Sequence, residues 1–99
     1  MEIKIQAIHF EATEKLEQFI EKKVSKLTKF NDEIGRVEVS LKVVKPESAM
    51  NKEAGVKVLA LNAEFFAEKV SDTFEESVDV CMDALSKQLT KAKEKLRGK

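Results

Sequence analysis

"RVEVSLKVV", residues 36–44, decides the fold. Val37, Val39, Leu41 and Val43 project to one side of an extended chain, and Arg36, Glu38, Ser40 and Lys42 to the other. One apolar face and one charged face describe a strand that is buried on one side and wet on the other. That pattern belongs to an antiparallel sheet covered on a single face. Whatever covers the Val-Leu side must itself be amphipathic, and the flanking sequence supplies two such segments.

Upstream, "ATEKLEQFIEKKVSKLTKF" (12–30) places Leu16, Phe19, Ile20, Val24 and Leu27 at helical spacing. Thr13 is a good N-cap, and Glu14 suits the positive end of the helix dipole. Before it, "EIKIQAIHF" (2–10) alternates as a strand with Ile3, Ile5 and Ala7 on one face, and after it "FNDEIG" (30–35) breaks the helix. Downstream, Pro46 ends the central strand and opens a loop of about ten residues. "VKVLALNAEFFAEKV" (56–70) is long enough for two strands joined by a turn near Asn62 to Glu64. "SDTFEESVDVCMDALSKQLTKAKEKLRGK" (71–99) is a second helix, with Asp72 as its cap and Glu75 closing a capping box. Its apolar stripe runs Phe74, Val78, Cys81, Leu85, Leu89, Ala92 and Leu96. The order predicts an α+β fold, β-α-β-β-β-α: a four-stranded sheet of antiparallel type with both helices packed on one face and the other face solvated.

The chain has 99 residues, which is one domain's worth of core. Lys and Arg number 18 and Asp and Glu 18, so bulk charge does not make this a protein that coats polyanions, although a local patch is still open to it. The lone Cys81 forms no internal disulfide and fits a reducing cytosol. No apolar run approaches the roughly 20 residues of a membrane span, and the N-terminus has no signal-peptide pattern. A cytoplasmic protein is expected.

Charge is unevenly distributed. Residues 64–79 hold six acids against Lys69, whereas residues 85–99 hold six bases against Glu94. On the first helix Lys15, Lys22, Lys26 and Lys29 fall on one flank of the stripe, with Lys23 nearer to it; Glu14, Glu17 and Glu21 fall on the other. On the second, Lys87, Lys91 and Lys95 form a ladder at four-residue spacing, and Lys93 and Arg97 lie on the opposite shoulder. Like charges at that spacing repel by a few tenths of a kcal/mol per pair. A solvated helix end that complements the dipole is one reading. A polyanion site is the other: two lysine flanks bordering one groove suit a phosphate backbone.

Other chemistry is not in view. His9 has no partner at metal-ligand spacing and reads as a structural histidine, and Cys81 lies on the apolar stripe as an inert thiol. The glycines are isolated, and the carboxylates sit on exposed helix faces. Of Phe65 and Phe66, one ring enters the core and the other lies on the open sheet face, where it reads first as a partly covered strand residue and second as a ring that could stack a base. The expectation is a non-enzyme with no cofactor, metal or small-molecule substrate.

The element order and several strings resemble the ribosome hibernation promoting factors and ribosome-associated translation inhibitors, a family also known as sigma-modulation proteins. The resemblance covers nearly the whole chain: "ATEKLEQFIEKKVSKLTKF", "RVEVSLKVV", "AEKVSDTFEESVD" and, most specifically, "LSKQLTKAKEKL" with Leu85, Lys87, Gln88, Leu89 and Lys91. It implies a fold like the double-stranded-RNA-binding domain and binding in the mRNA and tRNA channel of the small ribosomal subunit in stress or stationary phase. It implies rRNA contacts through Lys23, Lys26 and Lys29 on the first helix, with Lys22 adjacent, and through Lys87, Lys91 and Lys95 on the second. Translation would be inhibited by steric exclusion, with no chemical step. Phe74 stands where many members carry Tyr, which favours packing over a hydroxyl contact. The chain reads as a short form: a single ribosome-binding domain, 1–99, without a C-terminal dimerisation domain and monomeric when free. Two alternatives stand beside it, a generic double-stranded-RNA-binding domain and a protein-interaction module that regulates a partner such as a sigma factor.

Overall fold

In a computed structural model of the chain, which describes residues 1–44, 50–61 and 63–97 (the side chains of 93–97 excepted), the alternating stretch is the strand β2, Ile34–Val43. Val37, Val39 and Leu41 are fully buried. The strand opens with an irregularity between Ile34 and Arg36, which lets Ile34 turn inward as well, out of phase with the alternation.

β1 (Glu2–Ala7) lies on one side of β2, and β3 (Lys52–Ala60) and β4 (Ala63–Ser71) follow on the other, so the sheet order is β1-β2-β3-β4. The sheet is mixed: β2-β3 and β3-β4 are antiparallel hairpin partners, but β1 pairs with β2 in parallel. The helix α1 (Glu14–Ser25) is the reason. It carries the chain back along the sheet before β2 begins, and such a crossover returns the next strand in the same direction. The expected antiparallel-type sheet is corrected on that one pairing.

β3 also begins earlier than its composition implied. Lys52, Glu53 and Ala54 pair with Val43, Lys42 and Leu41 on one side and with Ser71, Val70 and Lys69 on the other. Pairing on both flanks makes a strand of a segment that reads locally as loop, which shortens the expected ten-residue connection; residues 45–49 lie outside the described part. At the next connection Ala60 pairs with Ala63, so Glu64, assigned to the turn by composition, is in β4; Asn62 is not among the described residues.

Thr13 caps α1, its Oγ1 accepting from the Leu16 N–H at 3.1 Å. Leu16, Ile20 and Val24 are buried along it. The chain then tightens into a 3-10 turn, Lys26–Lys29, and Asn31 ends it by accepting the Glu33 N–H on its side-chain oxygen at 2.8 Å. α2 (Phe74–Arg97) packs across β3 and β4 and alongside α1. Its cap is Thr73, not Asp72: Thr73 Oγ1 accepts the Glu76 N–H at 3.1 Å. Asp72 instead accepts the Met50 N–H at 2.9 Å and ties α2's approach to the start of β3. Both residues are good caps by type, and the tertiary bond decides between them.

The core lies between the sheet and the helices, with Val56, Val58, Ala54 and the β2 residues meeting Ile20, Val24, Leu27, Val78, Cys81, Leu85 and Leu89. Ser77 is fully buried and donates to the Lys52 carbonyl; Gln88 donates to the Phe66 carbonyl at 3.0 Å. These bonds fix α2 on β3 and β4. Phe74 stacks on Phe10 with centroids 5.1 Å apart, so its ring is a packing element. Among the described residues no helix is long and apolar enough to cross a membrane.

Candidate nucleic-acid interface

On the open sheet face acids and bases alternate across strands: Glu2 opposite Arg36, Lys4 opposite Glu38, Glu38 opposite Lys57, Lys42 opposite Glu53. Arg36 reaches Glu2 at 3.5 Å and Glu38 at 2.9 Å, and Lys57 reaches Glu64 at 3.3 Å. Opposite charges in facing positions hold this surface near local neutrality. Phe66 lies on it, 52% exposed, with its ring over Gly55, while Phe65 is half-buried against the core. On the same face the carboxyl of Glu53 is pushed above its ordinary value, first by burial and then by the hydrogen bond and like charge of Glu68, against the opposing pull of Lys42.

The helical side holds the candidate lysines. α1 and α2 lie side by side and enclose a shallow groove of about 270 Å³. Lys23, Lys26, Leu27 and Phe30 line it from the first helix and its 3-10 extension, and Asp79, Met82, Asp83 and Ser86 from α2. A second depression, lined by Ser86, Lys87, Thr90 and Lys91, continues it along α2. Ser86 belongs to both, so Lys23 and Lys26 lead on to Lys87 and Lys91 along one surface. Lys22 and Lys29 are exposed on the first helical segment but line neither hollow. Lys95 is in the α2 backbone, and its side chain lies outside what is described.

Two carboxylates interrupt the basic surface, and the lysine spacing did not disclose them. Lys23 Nζ lies 2.9 Å from Asp79 Oδ1 and 5.6 Å from the centre of the Phe19 ring. Lys87 Nζ lies 3.5 Å from Asp83 Oδ2, one helical turn away. The signal was present as a pair of acids four residues apart between the stripe positions Val78 and Leu85, but which lysine Asp79 meets depends on how the helices dock. Among the described residues, Lys22, Lys26, Lys29 and Lys91 form no ion pair.

Sites for other chemistry are thin. His9 is exposed just after β1, in a left-handed conformation (φ 68°) that histidine tolerates better than most residues. Cys81 is fully buried, and burial pushes its thiol up to about 11. Among the described residues no three His, Cys, Asp or Glu side chains are grouped to hold a metal ion.

Comparison with known proteins gives a consistent picture. The family described as sigma 54 modulation protein / S30EA ribosomal protein matches residues 3–97. The ribosome hibernation promoting factors of Escherichia coli K12 and of Shigella flexneri are each 32% identical to this chain over 97 residues, covering 98% of both sequences. Among solved structures, a ribosomal subunit interface protein from Coxiella burnetii superposes with a TM-score of 0.84 at 25% identity, covering 94% of this chain and 98% of that one. The N-terminal domain of Thermus thermophilus Protein Y shares the fold, with a TM-score of 0.78 at 20% identity over 92% of this chain and 98% of that one.

Proposed function

The chain belongs to the sigma 54 modulation protein / S30EA ribosomal protein family, and we propose that it is a ribosome hibernation factor of the cytoplasm that binds the small ribosomal subunit by its helical side. Membership, and 32% identity across nearly the full length of two hibernation promoting factors, support the general role. The observation that supports the mode of binding is the run of lysines from both helices along two adjoining hollows, where Lys26 and Lys91, like the exposed Lys22 and Lys29 of the first helical segment, form no ion pair among the described residues.

An unpaired surface lysine meeting a phosphate releases condensed counterions, and several acting together bind tightly with little base selectivity. Lys22, Lys23, Lys26 and Lys29 from one side, and Lys87, Lys91 and Lys95 from the other, neutralise rRNA phosphates in this reading. The body of the domain then fills the channel that mRNA and tRNA require and inhibits translation by occupancy alone, with no reaction and no cofactor. Exclusion follows from mass action: ligands that cannot share the channel compete for it.

The test is displacement. Small subunits carrying mRNA and a fluorescent tRNA are titrated with the protein, and tRNA release is followed by anisotropy. Release that saturates with protein, and is overcome by excess tRNA, is expected. Stable co-occupancy of protein and tRNA would rule out the blocking mechanism.

A further inference from the structure

A surface that serves only to hold phosphate has no use for carboxylates, yet Asp79 and Asp83 stand in the wall of the groove between the helices. Both are exposed, and each takes up a lysine: Asp79 holds Lys23 at 2.9 Å across the two helices, and Asp83 holds Lys87 at 3.5 Å within α2. We propose that Asp79 and Asp83 are specificity-determining residues of the nucleic-acid site, acting as built-in competitors for phosphate. The inference rests on the ribosome-binding reading above and adds to it which residues limit its affinity and why.

The physical argument has two parts. A phosphate that approaches Lys23 or Lys87 must displace a carboxylate already in place, so these lysines contribute less than unpaired ones. It must also pass two negative charges with no phosphate-binding role of their own. Near a protein surface a like-charge contact at about 4 Å costs on the order of a few kcal/mol before salt screening and rearrangement reduce it. An arbitrary RNA helix resting on the groove meets this repulsion and has only general backbone contacts to set against it. A folded site that also engages the unpaired Lys22, Lys26, Lys29 and Lys91 has more to set against it. Discrimination by a repulsive element is a known route to specificity where attraction is generic. The pairs themselves contribute little to the fold, because exposed ion pairs are worth at most about 1 kcal/mol.

The experiment measures binding of the full chain to purified small subunits and to an unrelated RNA duplex, over a range of salt. The unsubstituted protein is compared with Asp79→Asn/Asp83→Asn and with a control, Glu75→Gln/Glu76→Gln, which changes net charge equally on the first turn of the same helix. The expected result for Asp79→Asn/Asp83→Asn is roughly tenfold tighter binding to the duplex, a smaller gain on small subunits, and a salt slope steeper by about one to two. The control should stay within about twofold of the parent on both ligands. Equal affinities for parent and Asp79→Asn/Asp83→Asn, in a protein that binds small subunits through its lysines, would overturn the inference while leaving the functional reading intact. So would an equal gain from the control, since bulk charge would then suffice. Failure of the parent to bind small subunits at all would overturn both.

Discussion

Cys81 sits beneath the sheet with its sulfur 3.4 Å from the Ala54 carbonyl oxygen and 3.6 Å from that of Ala67. Its surroundings withhold solvent and push its thiol up to about 11, so almost no thiolate forms at neutral pH. Native protein should therefore resist a thiol reagent for as long as it stays folded, and labelling should track the unfolding transition in urea. Rapid labelling without unfolding would contradict this burial. Glu53 is a second perturbed residue among those described, with its carboxyl raised from the ordinary 4.5 by burial and by its neighbour Glu68. The folded state then keeps this proton to higher pH than the unfolded chain does. Its contribution to stability is full below 4.5 and is lost as pH rises through the folded value. Glu53→Gln should flatten the fall in urea midpoint just above pH 4.5, because Gln carries no proton to lose; an unchanged profile would exclude Glu53 as its source.

Elements are where local sequence and tertiary pairing part company. The alternation was legible through Val37, Val39 and Leu41 and fails at Val43, which is exposed at the strand's end; of the expected α2 stripe Val78, Cys81, Leu85 and Leu89 are buried, because burial follows the period of the structure. The parallel pairing of β1 with β2 was not legible, since strand direction is set by how α1 returns the chain rather than by residues within either strand. The start of α2 was half legible: two adjacent residues were both competent caps, and a bond from Met50 claimed Asp72. Thr73→Ala should consequently cost about 1 kcal/mol in equilibrium unfolding, the usual loss on removing a cap hydroxyl. No loss on Thr73→Ala, with a cost of that size on Asp72→Ala instead, would return the cap to Asp72.

Across the whole molecule the decisive feature is that lysines from both helices meet along two adjoining hollows, where Lys26 and Lys91 form no ion pair among the described residues. Lysine positions on each helix were readable from spacing, but their balance was not, because the Lys23–Asp79 pair joins two helices whose mutual placement only the packed fold provides. Lys87 and Lys91 are exposed and outside the apolar stripe, so reversing both should spare the fold and strike at binding. The measurement that tests the central claim most directly is co-sedimentation of purified small subunits with the parent protein and with Lys87→Glu/Lys91→Glu, at low and moderate salt. The parent should travel with the subunit and come off as salt rises, and the variant should stay at the top of the gradient with an unchanged far-UV spectrum. A folded variant that still co-sediments at moderate salt would contradict the helical-side lysine surface as the ribosome-binding site.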